Sequence, residues 1–178
     1  MSLNNTAVLA RIEEKASSLI KGSGTSTDGM LWVTTDREQV LALLEFLKTD
    51  ETLQFHFLTT LCAVHYPDQH GAELEVMYQL HNWMENVRMR VKVSLSIEDP
   101  AIPSATSLWP TANWMERQEY DFFGIQFQGH PNLVRILNVD DLDVFPMRKE
   151  YKLEDGTRTD KDDRFFGRDG NYSQSFIQ

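Results

Sequence analysis

A single cysteine, Cys62, stands among 178 residues. That scarcity excludes an internal disulfide, a CxxC redox pair and an iron–sulfur cluster held by this chain alone, because such clusters take several thiolates. Long apolar runs are lacking too. No stretch approaches the roughly 20 apolar residues that a helical bilayer span requires, since Asp, His, Lys or Pro interrupts each candidate. Basic residues are outnumbered, 17 Lys and Arg against 27 Asp and Glu, for a formal charge of −10. A nucleic-acid binder needs a basic face to displace counterions from phosphates, so no nucleic acid is expected as a partner. Residues 1–20 carry Arg11, Glu13, Glu14 and Lys15 inside their apolar pattern. They therefore lack the unbroken apolar segment of a secretory leader, and the protein is expected to stay in the compartment where it is made. Glycine loops for phosphates, the strand–turn serine of hydrolases and paired-histidine zinc motifs are all absent.

What is present reads as one α+β domain. Val8, Leu9, Ile12, Ala16, Leu19 and Ile20 recur at helical intervals, and the Gly-Ser run 21–29 ends that helix as a loop. Residues 30–34 predict a short strand. Thr35 and Glu38 have the spacing of a capping box, and Val40, Leu43, Leu44 and Leu47 form the inner stripe of the helix after it. The run 53–66 predicts a helical turn followed by a strand from about Leu61. Residues 73–80 and 88–97 alternate strictly and predict an antiparallel pair with one wet face, with Arg88, Arg90 and Lys92 opposite Glu73 and Glu75. Pro100 and Pro103 break the chain, and a third helix spans 111–123 with Gly124 as its stop. From Asp140 to Asp169, ten acidic and seven basic residues leave few regularly spaced apolar ones. Residues 1–139 thus read as the domain, and 140–178 as an extended tail with sparse aromatic anchors, unable to fold by itself.

The densest chemistry lies on the third helix. Glu116 and Tyr120 share a face, as do Arg117 and Asp121, and Glu116 and Glu119 lie three apart. A solvated ion-pair ladder is the plainer expectation, with an acid–base site using Glu116, Glu119 and His130 as the alternative. His130 lies between Gly129 and Pro131, on a turn. Arg135, Arg148 and Lys149 are basic residues in acidic surroundings, suited to anchoring the tail or to holding a small anion. Cys62 and His65 lie three apart in an apolar run, where a thiol is expected to be an inert core group. The other histidines have no metal-ligand spacing.

Read in order, several motifs carry a resemblance. They are Leu108-Trp109-Pro110-Thr111-Ala112-Asn113-Trp114-Met115-Glu116-Arg117-Gln118-Glu119-Tyr120-Asp121-Phe122-Phe123-Gly124-Ile125, then Phe127-Gln128-Gly129-His130-Pro131, Arg135-Ile136-Leu137, Asp140-Asp141 and Pro146-Met147-Arg148-Lys149. This succession resembles the C-type subunit of the proton-pumping NADH-quinone oxidoreductase, respiratory complex I, and extends more weakly back to about residue 30. The sequence departs from that family's pattern at Gln118, where an acidic residue is usual, at His65, where Asp is usual, and at 142–145, where Trp and Gly-His are usual.

The resemblance implies a scaffold with no cofactor and no catalytic group of its own. The parent complex carries FMN, iron–sulfur clusters and quinone on other subunits. It further implies packing in the peripheral arm, chiefly on the D-type subunit, on the cytoplasmic side of the bacterial inner membrane, with membrane contact only through partners. Glu116, Arg117, Tyr120, Asp121, His130, Arg135, Phe145, Arg148, Lys149, Tyr151 and Phe165 are the expected partner-facing residues. A related membrane-bound hydrogenase or quinone-linked complex is the neighbouring reading.

Overall fold

Alternating apolar residues build the sheet on which everything else rests. In the computed structural model, which describes residues 3–151, β1 (Gly22–Thr25), β2 (Leu31–Thr35), β3 (Phe57–His65), β4 (Leu74–Asn82) and β5 (Val87–Leu95) join in the order β1-β2-β5-β4-β3. The β2–β5 pair is parallel and the other three are antiparallel, so the sheet is mixed. Register sets Leu74 opposite Leu95, Val76 opposite Val93, Tyr78 opposite Val91 and Leu80 opposite Met89, all buried on one face. On that face pack Val8, Ile12 and Ala16 of α1 (Asn5–Ala16) and Val40, Leu43, Leu44 and Leu47 of α2 (Val40–Thr49). Burying each such side chain fully contributes about 1.5–3 kcal/mol. The opposite face, with Trp32, Glu75, Gln79, Arg90 and Lys92, is half-buried. A second, parallel pair joins β6 (Ala101–Pro103) to β7 (Gln126–Gln128), and α3 (Ala112–Phe123) lies against β3.

The α+β class, the mixed sheet with flanking helices and α1, β2, α2, β4, β5 and α3 match the sequence expectation; four details differ. The Gly-Ser run holds a strand, β1, because Gly24 must lie flat on Trp32: a Cβ there would sit 2.5 Å from the indole. Thr35 is no cap; its hydroxyl donates to the Leu19 carbonyl, and α2 starts only at Val40. The third strand begins at Phe57 rather than Leu61, since β4 runs on to Asn82 and pairs it there, with a bulge between Leu58 and Thr60. Residues 101–103 form β6 despite Pro103. The pair is only two strands wide, so its missing N–H interrupts no interior ladder.

Candidate functional site

On α3 the positions 112, 116, 119 and 123 follow the i, i+4, i+7, i+11 rhythm of one helix face, and all four are buried. Two of them are carboxylic acids. Glu116, fully buried, accepts from the Ser104 hydroxyl and the Ala105 amide, each at 2.7 Å. Burial pushes its carboxyl up to about 7 against the pull of those two bonds. Glu119 accepts from the Ala63 amide at 2.8 Å and from Gln118, and burial likewise pushes it up to about 7. The solvated ion-pair ladder expected here is therefore wrong. The two acids lie in the interior, and Glu119 caps a backbone amide on the outer edge of β3, an edge strand of the sheet. Tyr78 is also fully buried and its hydroxyl has no partner among the described residues; burial, with the nearby Glu116, raises its pKa.

Asp121 does different work. Burial alone would raise its pKa, yet the Asn138 amide and side chain, the Leu137 amide and the Arg135 guanidinium together hold it well below the usual carboxylate range. Its Oδ2 accepts the consecutive amides of Ile136, Leu137 and Asn138 at 3.1, 2.8 and 3.0 Å. Its Oδ1 takes the Arg135 guanidinium at 2.9 Å. The expected Arg117–Asp121 pair does not form: Arg117 stacks on Trp114 and donates to the Val134 and Arg135 carbonyls.

Around that anchor residues 133–151 lie as a strap. Arg135 also donates to the Leu142 and Val144 carbonyls. Phe145 is held between two guanidinium groups, its centroid 5.3 Å from Arg135 and 4.6 Å from Arg148, over the bare Cα of Gly124. The Met147 amide donates to the Phe122 carbonyl, Arg148 to the Phe123 carbonyl, and the Lys149 amide to His65. The first twelve residues of the segment read as a tail are thus tied to the domain. Phe165 and the rest of 152–178 lie outside the described residues.

The remaining expected site residues fall as follows. His130 is half-buried and fixed between the Asn113 carbonyl and the Asn132 amide. Tyr120 is half-buried, Lys149 is exposed, and Tyr151 is 39% exposed. Glu116, Glu119 and His130 each bond a different backbone segment, and among the described residues none of the three is hydrogen-bonded to another. Arg135 and Arg148 are committed internally, to Asp121 and to the Leu142, Val144 and Phe123 carbonyls. Sequence reading missed Trp114, Val134, Leu137, Val139 and Met147, which are large apolar side chains left 45–66% exposed. Six of the nine such residues among the described ones, counting Tyr151, fall on α3 and the strap. An apolar residue without helical or strand periodicity next to a charged run was the available signal.

The family model for the 30 kDa subunit of respiratory-chain NADH dehydrogenase matches residues 33–157, from the sheet to beyond the strap. The C-type subunit of NADH-quinone oxidoreductase from Citrifermentans bemidjiense is 42% identical over 154 residues, covering 86% of this chain and 92% of that one. Its counterpart from a Nocardioides species is 45% identical over 117 residues, and there the match spans only 47% of the relative's length. Among solved structures, a trypsin-resistant fragment of Nqo5 superposes with a TM-score of 0.60 at 34% identity, covering 70% of this chain and 98% of the fragment. One chain of the archaeal membrane-bound sulfane sulfur reductase, a respiratory membrane complex, has the same fold, with a TM-score of 0.70 at 22% identity over 83% of this chain and 85% of that one.

Proposed function

The chain belongs to the family of the 30 kDa subunit of respiratory-chain NADH dehydrogenase, and from that premise we propose that it serves as a cofactor-free scaffold of the quinone-reducing peripheral arm. In this reading it packs on the D-type subunit and on the cluster-bearing subunits, on the cytoplasmic side of the membrane. FMN, iron–sulfur clusters and quinone belong to those neighbours. The observation that supports it most is the strap. Its inner side is fixed by Asp121, Arg135 and Arg148, while Val134, Leu137, Val139 and Met147 face solvent. Apolar side chains on a pre-ordered segment suit a permanent protein contact, because little conformational entropy is lost when they are covered. The expected partner-facing set is narrowed accordingly: Glu116, Asp121 and Arg135 act inward, holding the surface that others present.

The test is mass spectrometry of what co-purifies with the tagged full chain from gently solubilised membranes of its own host. The D-type and cluster-bearing subunits should appear in equal amounts with it. Recovery of the chain alone, or with a hydrogenase large subunit instead, would refute the assignment. So would stoichiometric flavin or iron in the purified chain.

A further inference from the structure

The Lys149 amide donates to Nδ1 of His65 at 2.9 Å. His65 closes β3 opposite Leu74 and is 5% exposed. A backbone N–H can only donate, so Nδ1 must carry a lone pair and the ring must be neutral, with its proton on Nε2. A proton added at Nδ1 would set two donors face to face and leave an imidazolium almost out of water. The other strap ties named above differ in kind. Met147 and Arg148 donate to the carbonyls of Phe122 and Phe123, which do not titrate, and Asp121 keeps its charge far below neutral pH.

We infer that His65 is a pH-sensitive latch: its neutral imidazole holds the distal strap, residues 149–151, against the sheet, and protonation releases it while the Met147 and Arg148 bonds to α3 and the Asp121–Arg135 anchor stay closed. Imidazole is the side chain whose ordinary titration falls between pH 5 and 8. The charged groups on the surrounding elements favour release rather than opposing it. On the strap, Arg148 and Lys149 are cations that disfavour a third, and Glu150 lies 3.9 Å from Arg148. On β4, Glu75 is bonded to Lys92, and just before it Glu73 is bonded to the Gly71 and Ile97 amides. On α3, Glu119 is bonded to Ala63 and, with its carboxyl near 7, becomes neutral as the pH falls. On β3, burial raises the Cys62 thiol and keeps it uncharged. The latch is a property of this chain and does not depend on which partner lies over the strap.

Amide hydrogen exchange of the isotope-labelled full chain, corrected for intrinsic rates, tests the latch at pH 7.5 and 5.0. Protection at Lys149 should fall at least tenfold at the lower pH, while Val76 and Val93 in the sheet stay unchanged. His65→Gln, whose amide oxygen accepts the same bond and does not titrate, should hold its protection. A Glu119→Gln background should keep the wild-type response. Equal protection at both pH values in the wild type, the same loss in His65→Gln, or disappearance of the response in Glu119→Gln would each overturn the inference. Should His65→Gln fail to fold, His65→Asn offers a shorter acceptor that does not titrate. The ring-nitrogen shifts of native His65 decide independently, and a protonated Nδ1 at pH 7.5 would end the proposal.

Discussion

Asp121 and Arg135 lie 2.9 Å apart across the root of the strap, the carboxylate fully buried and the guanidinium nearly so. The pair joins the end of α3 to a loop that has no regular secondary structure of its own. Three consecutive backbone amides on the same carboxylate fix the loop's curvature. Breaking a buried pair by neutralising one partner strands the other, at a cost of about 3 kcal/mol at the low end of such measurements. Asp121→Asn should show that loss in urea unfolding at pH 7. The folded-state pKa lies below the ordinary unfolded value, so the contribution is complete above about pH 5 and fades as acid is added. The gap between wild type and variant should therefore narrow steadily below about pH 4.

Gly124 and Gly129 form a matched test of packing against backbone strain. Both have positive φ, 78° and 82°. A Cβ on Gly124 would lie 2.6 Å from the Phe145 ring and 2.9 Å from Arg148, whereas none of the described residues lies within 4 Å of one on Gly129. The left-handed conformation alone costs an alanine about 1 kcal/mol. Gly129→Ala should lose about that much. Gly124→Ala should lose roughly 2–3 kcal/mol, because overpacking adds to strain, and it should accelerate tryptic cleavage after Arg148 and Lys149.

The two interior acids give a pH dependence of opposite sign to that of Asp121. Glu116 and Glu119 are pushed up to about 7, above the unfolded value, so the folded state holds their protons more tightly. Their contribution is complete below about pH 4.5 and is lost as the pH rises through 7. Each Glu→Gln change keeps the acceptor and removes the titration. The double variant should therefore lose less stability than wild type between pH 5 and 8, by up to about 3 kcal/mol per site. Parallel pH profiles in denaturant melts would show that the acids are not buried as described.

Assembly should respond to the strap's outer side without any change in the domain. Leu137 and Val139 are 61% and 66% exposed. Leu137→Asp with Val139→Asp should leave the melting temperature within about 2 °C, as surface changes usually do, while reducing recovery of the intact complex severalfold in a pull-down. Arg148→Ala with Lys149→Ala should also weaken assembly, by freeing Phe145 and the distal strap, and unaltered recovery would remove the strap from the interface.

Periodicity revealed whatever depends on near neighbours in the chain. The β4–β5 pair, the inner stripe of α2 and the Gly124 stop follow from alternation, three-to-four spacing and the left-handed tolerance of glycine, and each needs only residues close in sequence. The same rhythm placed Ala112, Glu116, Glu119 and Phe123 on one face, yet charge argued for solvent, and the ladder reading failed because the groups that satisfy those acids are remote. Ala63 lies 56 residues from Glu119, and Ala105 lies 11 from Glu116.

The amino-acid order alone determined the α+β class, the sheet's core residues, an acidic chain whose one cysteine cannot form a disulfide within it, and motifs specific enough to indicate the family. Tertiary structure decided the rest: which side of α3 is interior, that Asp121 pairs with Arg135 rather than Arg117, and that residues 140–151 lie on the domain. The physical reason is that burying a charge requires donors converging from several segments at once. Only the folded chain brings Ser104, Ala63, Asn138 and Arg135 to the carboxylates that need them.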